Sequence, residues 1–399
     1  MSTLFAPPAP ALSIGPLRLE VPVVLAPMAG ITNTAFRRLC REYGAGLYVS
    51  EMITSRALVE RTPESMRLIR HHESETPRSI QLYGVDPKTV AEAVRMLVAE
   101  DRADHIDLNF GCPVPKVTRK GGGAALPWKI GLFREIVEGA VQAAGPLPLT
   151  VKMRKGIDSD HLTYLEAGRV AEGAGVSAIA LHARTAAEFY SGTADWSAIA
   201  KLKQTVTSVP VLGNGDIWSA ADAVRMVDET GCDGVVVGRG CLGRPWLFGD
   251  LAAAFSQSRW SSSPRSGRIE TTPTAQPTLG EVAQAFRRHA ELLVEFFDDD
   301  ENRACRDIRK HVAWYFKGYP VGGELRAALA QASSLAEIDE LLGRLDGDEP
   351  YPGADAEGQR GRAGTPKKPA LPERWLDSRE LQETHRAELT EAELDTSGG

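Results

Sequence analysis

The sequence is poor in cysteine, with five among 399 residues and no C-x-x-C pair. An odd number without paired spacing excludes a disulfide framework or a zinc ribbon, and it is typical of a reducing, cytoplasmic compartment. No apolar run approaches the ~18 residues needed to cross a membrane. The first ten residues also lack the charged and apolar regions of a signal peptide. We therefore expect a cytoplasmic protein with no membrane contact.

Several signatures of catalytic and binding sites are also missing. The chain has no G-x-S-x-G motif and no Walker A loop, and no G-x-G-x-x-G motif follows its first predicted strand. Asp104, His105 and Asp107 lie in or beside one predicted strand and alternate between its faces, so they do not form a metal-binding set. These absences argue against a serine hydrolase, a P-loop NTPase and a metal site.

The net charge of −7 is spread unevenly along the chain. Residues 346–399 hold 13 acidic and 7 basic side chains, so the rest of the chain is close to neutral. Local basic clusters on that nearly neutral body could bind phosphates. The composition is that of an ordinary globular protein, and we expect a monomer.

Eight short apolar segments alternate, for the most part, with amphipathic helical patterns. The predicted strands are 21–25, 46–50, 78–82, 105–109, 149–153, 178–182, 209–213 and 234–238. Their two apolar faces are typical of an all-parallel sheet, and the span of about 235 residues is close to that of a (β/α)8 barrel. We predict an α/β protein, a TIM barrel followed by a small C-terminal helical domain. The alternative is a doubly wound open sheet, but A-P-M-A-G stands at 26–30 where such a sheet would carry its glycine motif.

The composition divides the chain into five parts. Residues 279–345 show helical periodicity, and 256–278 change to Ser, Pro, Thr, Arg and Gln. The parts are an N-terminal extension at 1–20, the barrel at 21–255, a linker or disordered insertion at 256–278, the helical domain at 279–345 and an acidic tail at 346–399. We expect the tail to be largely disordered.

Polar residues follow nearly every predicted strand, where the active sites of such barrels lie. They are Glu51, Gln81, Asn109, Cys112, Lys152, Arg154, His182, Arg184, Asn214, Asp216 and Arg239. Lys152 ends an apolar strand and so requires an anionic partner or a place in the mouth. For Cys112 the alternative is a small buried hydrophobic residue, and for His182 it is a satisfied structural group.

Two glycine-rich loops follow the last two predicted strands, at 213–217 and 238–240. Loops at these positions of a barrel frequently form a phosphate site from backbone amides and a helix N-terminus, and Arg239 could add a charged hydrogen bond. The alternative is that these glycines serve only tight turns.

Several segments together resemble the tRNA-dihydrouridine synthases, most closely the bacterial B-type enzymes. The resemblance covers about 21–345 and rests on A-P-M-A-G-I-T-N at 26–33, S-E-M at 50–52, Q-L at 81–82, D-L-N-F-G-C-P at 107–113, K-V at 116–117, G-N-G-D-I at 213–217, G-R at 238–239 and G-R-P-W at 243–246. It implies FMN-dependent reduction of the C5=C6 bond of a uridine in tRNA, in the D-loop and by analogy at position 17, with NADPH or NADH as reductant. Hydride would pass from the flavin to C6, and Cys112, with a near-neutral pKa, would protonate C5.

The same resemblance assigns roles to individual residues. The residues it places around FMN are Ala26, Pro27, Met28, Gln81, Lys152, His182, Asn214, Gly215, Asp216, Gly238 and Arg239. Those on the substrate side are Asn109, Arg154 and Arg184. The residues expected to bind RNA are Lys116, Arg119, Lys120, Arg306, Arg309 and Lys310.

The segment that contains the last three of these basic residues continues into the aromatic run 314–316, which could stack on bases. The alternative is an ordinary solvated amphipathic face. Two rival functions also stay open. One is an FMN barrel acting on a small molecule such as a dihydropyrimidine, dihydroorotate or an enone, against which the basic helical domain argues. The other is a non-catalytic RNA-binding protein, against which Cys112, Lys152 and His182 argue.

Overall fold

The computed structural model describes residues 12–44, 46–256, 274–361 and 363–394. Within them the strands are β1 (Leu12–Ile14), β2 (Leu17–Leu19), β3 (Val23–Leu25), β4 (Leu47–Thr54), β5 (Ser79–Tyr83), β6 (His105–Phe110), β7 (Leu149–Arg154), β8 (Ala178–His182), β9 (Val211–Asn214) and β10 (Gly234–Val237). All eight predicted strands are present, as β3 to β10.

The described helices are α1 (Thr34–Glu42), α2 (Ser55–Val59), α3 (Pro63–Leu68), α4 (Pro87–Ala99), α5 (Pro115–Thr118), α6 (Ile130–Ala144), α7 (Tyr164–Ala174), α8 (Trp196–Thr205), α9 (Ala220–Thr230), α10 (Leu247–Ser256), α11 (Leu279–Phe296), α12 (Glu301–Ile308), α13 (Val312–Tyr315), α14 (Gly323–Leu329), α15 (Leu335–Leu342) and α16 (Glu383–Leu394). Short 3-10 turns lie at Gly123–Trp128, Arg239–Cys241, Arg309–His311, Gly353–Ala356 and Trp375–Asp377.

Strands β3 to β10 close into a parallel barrel in the order β10-β3-β4-β5-β6-β7-β8-β9. The predicted (β/α)8 fold is therefore confirmed. Helix α4 begins where Asp86 accepts a hydrogen bond from the Thr89 amide and Pro87 takes the first helical position. The buried strand faces explain why the sequence shows apolar runs rather than alternation.

The hairpin of β1 and β2 closes the N-terminal end of the barrel. Leu12, Ile14 and Leu19 are buried in one apolar cluster with residues at the beginnings of barrel strands, among them Val24 and Leu47. The sequence had placed this segment in a plain N-terminal extension. The hairpin instead completes the core, and the opposite end of the barrel holds the polar strand ends.

Helix α11 packs its apolar face against the first barrel helix, α1. The residues of this face are buried, at Val282, Phe286, His289, Leu292, Leu293 and Phe296. The rings of Phe36 and His289 lie 5.3 Å apart, and Arg70 bonds Asp298 across the same boundary. The helices after the barrel are thus fixed beside the β3 and β4 side of its mouth.

The expectation of a largely disordered tail is contradicted for the described residues beyond 346. Trp375 is 1% exposed, and Arg360 is 3% exposed with its guanidinium bonded to the carbonyls of Leu242 and Ala356. A few large side chains that meet matching surfaces hold the segment, although its average composition is polar. The predicted insertion falls mainly on 257–273, which lie outside the described residues.

Candidate active site

The parallel register brings the predicted polar strand ends to one mouth. Asn109 pairs with Lys152 across β6 and β7, and His182 of β8 pairs with Arg154 on one side and Asn214 on the other. Neighbours in register point to the same side of a sheet. These five residues, all selected from the sequence, therefore form half of the ring around the mouth.

A continuous hydrogen-bonded chain rises from the barrel interior to the loop after β6. The hydroxyl of Thr150 donates to Asp107 Oδ1 at 2.6 Å, and Gln81 Nε2 donates to Asp107 Oδ2 at 2.7 Å. Asn109 Nδ2 donates to Gln81 Oε1 at 2.8 Å. The amide of Cys112 then donates to Asn109 Oδ1 at 2.9 Å. A buried carboxyl is thereby connected, through two side-chain amides, to the backbone of the candidate acid.

Asp107 is a site residue that the sequence reading missed. Burial raises the pKa of this carboxyl to about 6, against the smaller opposing effects of Thr150, Gln81 and Lys152. Burial likewise lowers the pKa of nearby His105 to about 3, so its ring is neutral. One signal was available: Asp107 stands two residues before Asn109 in an otherwise apolar strand, hence on the same face.

Cys112 is half-buried, whereas the other four cysteines are buried. Burial is still the largest influence on it and raises its pKa, with Val114 N–H, Arg154 and Lys152 opposing. The expected near-neutral pKa is therefore wrong, and the thiol holds its proton at neutral pH. The backbone carbonyl of Cys112 accepts a hydrogen bond from the Ala124 amide at 3.0 Å. This bond closes the loop that carries it.

Lys152 donates a hydrogen bond to Asn214 Oδ1 at 3.0 Å, and Asn214 in turn donates to the Val236 carbonyl at 2.7 Å. Desolvation, followed by the charge of Arg154, lowers the pKa of Lys152 to about 8. An ammonium with that environment gains from an anionic neighbour. His182 is held neutral for the same reasons, since burial and surrounding cations lower its pKa far below the ordinary value.

The two glycine loops lie beside each other at the mouth. Gly215 has φ +127°, and a Cβ there would lie 2.7 Å from the Ala194 methyl group. Gly238 lies next to Ala26 and Met28, at 3.6 and 3.9 Å from a Cβ position. The positive φ and the packing against Ala194 therefore require glycine at 215, whereas a side chain at 238 would make only ordinary contacts.

Arg184, predicted on the substrate side, is almost fully buried in the structure. Its side chain is 1% exposed and bonds Asp216 at 2.8 Å and the carbonyls of Ser191 and Gly192. Asp216 also accepts from the Ala194 amide at 2.7 Å. Their hydrogen bonds give both residues a clear role in shaping the loops after β8 and β9.

Tyr190 is a second residue that the sequence reading passed over. Its ring lies 5.3 Å from the guanidinium of Arg154 and 4.5 Å from that of Arg239. Arg154 is 3% exposed and bonds the carbonyls of Gly111 and Thr185, so it links the loops after β6 and β8. A tyrosine in a loop far from any motif gave no sequence signal.

The predicted RNA-binding residues of the helical domain separate into two kinds. Arg306 is exposed, whereas Arg309 donates to the carbonyls of Ala332 and Gln331. Lys310 donates to the Gly30 carbonyl of the barrel and to Asp307. Arg309 and Lys310 therefore each bond a backbone carbonyl, and Lys310 is exposed as Arg306 is. The RNA-binding role of all three stays a prediction.

The expected aromatic stacking surface is also corrected by the structure. Tyr315 and Phe316 are 1% and 0% exposed, within the helical core, and Trp314 is half-buried. On the loop after β6, Lys116 and Arg119 are exposed and Lys120 is half-buried. Whether these three bind RNA stays a prediction.

A cavity of about 630 Å³ separates the barrel mouth from the helical domain. It is lined by Ala29, Gly30, Asn33, Glu51, Met52, Glu64, Arg67, Leu68, Phe296, Phe297, Arg303, Arg306 and Asp307. Glu51 accepts a hydrogen bond from the Gly30 amide, and burial raises the pKa of its carboxyl. Arg303 lies 4.5 Å from the ring of Phe297.

In the part of the chain that the structure describes, no group of three His, Cys, Asp or Glu residues is arranged to hold a metal ion. No described helix is both long and apolar enough to cross a bilayer.

Fold and site together define a (β/α)8-barrel protein with a thiol, a buried lysine and two glycine loops at the strand C-termini. The family model described as dihydrouridine synthase (Dus) matches residues 24–346. The chain is 56% identical, over 378 residues, to a probable tRNA-dihydrouridine synthase of Mycobacterium tuberculosis, covering 92% of this chain and 93% of that protein. It is 40% identical, over 326 residues, to tRNA-dihydrouridine synthase B of Pseudomonas aeruginosa, covering 82% and 92%. The chain belongs to the dihydrouridine synthase family and is an oxidoreductase.

Proposed function

We propose that this enzyme reduces a uridine in the D-loop of tRNA to dihydrouridine, with FMN as cofactor and NADPH or NADH as reductant. The observation that carries the proposal is a pair of hydrogen bonds made by Asn109. They connect Gln81 in the barrel interior to the backbone amide of Cys112. The names of the relatives support tRNA as substrate. Resemblance to the B-type enzymes makes position 17 the first site to test.

The residues at the mouth fit FMN. Lys152 has a lowered pKa, which an electron-rich ring beside it would offset. The buried Nη1 of Arg184 has no hydrogen-bond partner within the described chain. It lies with Gly215 among the loops where barrels commonly bind phosphate, so an anionic cofactor would meet this cation and Arg239 there.

FMN, once reduced by the nicotinamide dinucleotide, supplies the hydride equivalent that C6 of the uracil requires. Saturation of the C5=C6 bond also requires a proton at C5, and the Cys112 Sγ–H is suited to give it because its raised pKa keeps the thiol protonated. Asn109 fixes the amide of Cys112 and thereby the direction of the thiol. Solvent then returns the proton to the thiolate.

A uridine of folded tRNA must leave its stack to reach a barrel mouth. The cavity between barrel and helical domain opens beside that mouth, and its basic residues Arg303 and Arg306 suit the phosphates of the flanking nucleotides. Met52 lines the same cavity and lies 3.7 Å from Asn109 through its sulfur. The cavity is therefore the proposed path of the extruded nucleotide.

The test is an anaerobic reaction of the purified protein with FMN, NADPH and a tRNA transcript that contains no modified base. We expect a flavin absorbance spectrum and dihydrouridine in the nuclease digest, located by mass spectrometry. A tRNA whose D-loop uridines are replaced by cytidine is the matched control and should yield none. Rapid reduction of an enone or oxidation of dihydroorotate, with no dihydrouridine in tRNA, would contradict the proposal.

A further inference from the structure

The tail beyond the helical domain runs along the rim of the barrel mouth. Glu357 pairs with Arg244 in the loop after β10 at 2.8 Å, and Gly361 lies beside Arg239. The amide of Lys367 then donates to the carbonyl of Ala187 in the loop after β8 at 2.9 Å. We call the described part of residues 357–380 the strap. It lies outside the family match, which ends at residue 346.

The strap ends against the loop that carries Cys112. The Trp375 indole donates to the Ala125 carbonyl at 3.0 Å, and its ring lies 4.9 Å from the Lys129 ammonium. Gly121, with φ +74°, faces the same ring so closely that a Cβ there would lie 2.7 Å from it. Trp375 itself is 1% exposed. The second half of the loop is therefore packed on a residue of the tail.

A second set of contacts fixes the same place. The Trp128 indole donates to the Ser378 carbonyl at 3.1 Å, and Lys129 Nζ donates to the carbonyls of Ser378 and Glu380 at 2.7 and 3.0 Å. The strap thus accepts hydrogen bonds from Trp128 and Lys129, the two residues that join the Cys112 loop to α6. An incidental surface contact would not satisfy a buried and a half-buried donor through three hydrogen bonds.

The position of Trp375 is transmitted to Cys112 over two residues. Ala124, next to the Ala125 carbonyl that Trp375 binds, donates its amide to the Cys112 carbonyl. Gly123, with φ +54°, is so close to that carbonyl that a Cβ would lie 2.4 Å from it. A shift of the turn therefore moves Cys112, because the packing leaves no room between them.

We propose that the strap, through Trp375, positions Cys112 at the barrel mouth. Trp375 touches neither substrate nor thiol and acts through Gly121 and Ala125, as a positioning residue. Its effect on the rate of base reduction rests on the proposed function. Its effect on the accessibility of Cys112 does not rest on that function. One experiment can therefore test the positioning by the strap separately from the proposed function.

The primary measurement is the rate at which iodoacetamide alkylates Cys112 in the folded holoenzyme. The other four cysteines are buried, so peptide mass spectrometry can follow this thiol alone, with Cys112→Ser as the blank. We expect Trp375→Ala to raise the alkylation rate by about fivefold or more, because a loosened loop exposes the thiol. Trp375→Phe keeps the ring packing and should stay near the wild-type rate. Asp348→Asn, an exposed residue of the tail ahead of the strap, is the matched control and should leave the rate unchanged.

The second measurement is chemistry under single turnover with pre-reduced enzyme. Dihydrouridine formation should fall roughly tenfold or more in Trp375→Ala, because a small misplacement of a reacting group is costly. NADPH oxidation and flavin content should not change, since Trp375 packs on Gly121, Ala125 and Lys129, away from the residues proposed to hold FMN. A folded Trp375→Ala protein whose Cys112 reacts at the wild-type rate would overturn the proposal. Absence of dihydrouridine with the wild type would instead overturn the proposed function and leave the alkylation result standing.

A protease site inserted between Gly364 and Thr365 tests the same proposal without substituting a buried residue. These residues are exposed, so the strap can be cut after the holoenzyme has folded. Faster alkylation of Cys112 after the cut supports positioning by the strap. An unchanged rate after complete cleavage and release of the fragment overturns it.

Discussion

The Oδ1 atom of Asn109 accepts hydrogen bonds from the amides of both Gly111 and Cys112, at 3.1 and 2.9 Å. One side chain at the end of β6 thereby sets the path of the backbone that follows it. Its amide nitrogen is held at the same time by Gln81. The orientation of the candidate acid is thus decided inside the barrel as well as by the strap at the rim.

Replacing Asn109 with alanine should lower dihydrouridine formation while leaving the fold intact. Two loop amides and the Gln81 carbonyl oxygen lose their partner, and at about 1–3 kcal/mol for such groups the rate should fall roughly ten- to hundredfold. Single-turnover kinetics on tRNA measures the effect, with Asn302→Ala on the exposed face of α12 as the matched control. Equal rates for the two variants would remove Asn109 from the positioning role.

Substitution Cys112→Ala should retain FMN and NADPH oxidation but slow product formation by about 10²-fold or more, the usual contribution of a positioned general acid. The proton at C5 would then come only from water. Product measured by mass spectrometry after a fixed anaerobic incubation checks this. Cys232→Ala, at the closed end of the barrel, is the control, and wild-type rates for Cys112→Ala would assign the acid elsewhere.

The pH dependence of stability should carry the signature of Asp107. Its folded pKa of about 6 lies above the ordinary value because of burial, so the folded protein binds this proton more tightly than the unfolded chain. The stability it contributes is full below about pH 4 and is lost as the pH rises through 6, by about 3 kcal/mol in all.

Urea unfolding from pH 4 to pH 7 measures this loss. The free energy of unfolding should fall more steeply over that range in the wild type than in Asp107→Asn. Parallel curves would mean that Asp107 titrates normally in the folded protein.

Removal of the two exposed arginines beside the interdomain cavity should weaken tRNA binding. Arg303→Gln with Arg306→Gln should lower affinity about tenfold and reduce the slope of log K against log salt by roughly one to two. Filter binding at several KCl concentrations gives both quantities. Arg344→Gln, a comparably exposed arginine on the far side of the same region, is the control. An unchanged salt slope would place the RNA elsewhere.

The barrel itself was accessible from the sequence because each of its strands is buried on both faces and ends in turn residues. The predicted and observed limits coincide at 178–182 for β8. Strand ends then predicted the ring of polar residues, since parallel strands deliver their C-termini to one face. Lys152 and Asn214 were both selected on this basis and bond each other.

What could not be predicted depends on partners that are distant along the chain. The acceptors of Arg309 are backbone carbonyls at 331 and 332, and a basic residue facing carbonyls has the same sequence signature as one facing phosphate. The prediction for the tail failed for another reason. Its average polarity predicted disorder, whereas one tryptophan and a few buried groups order it. Composition averages over a segment, but packing is decided by single side chains.

The hairpin of β1 and β2 has a kinetic consequence. It fills the N-terminal end of the barrel with Leu12, Ile14 and Leu19. A reactant can therefore enter only at the opposite end, where the polar strand ends lie. If the proposed function holds, a nicotinamide dinucleotide and a tRNA nucleotide cannot occupy that entrance together, and each must depart before the other is admitted. Double-reciprocal plots at several fixed concentrations of the second reactant should then be parallel lines.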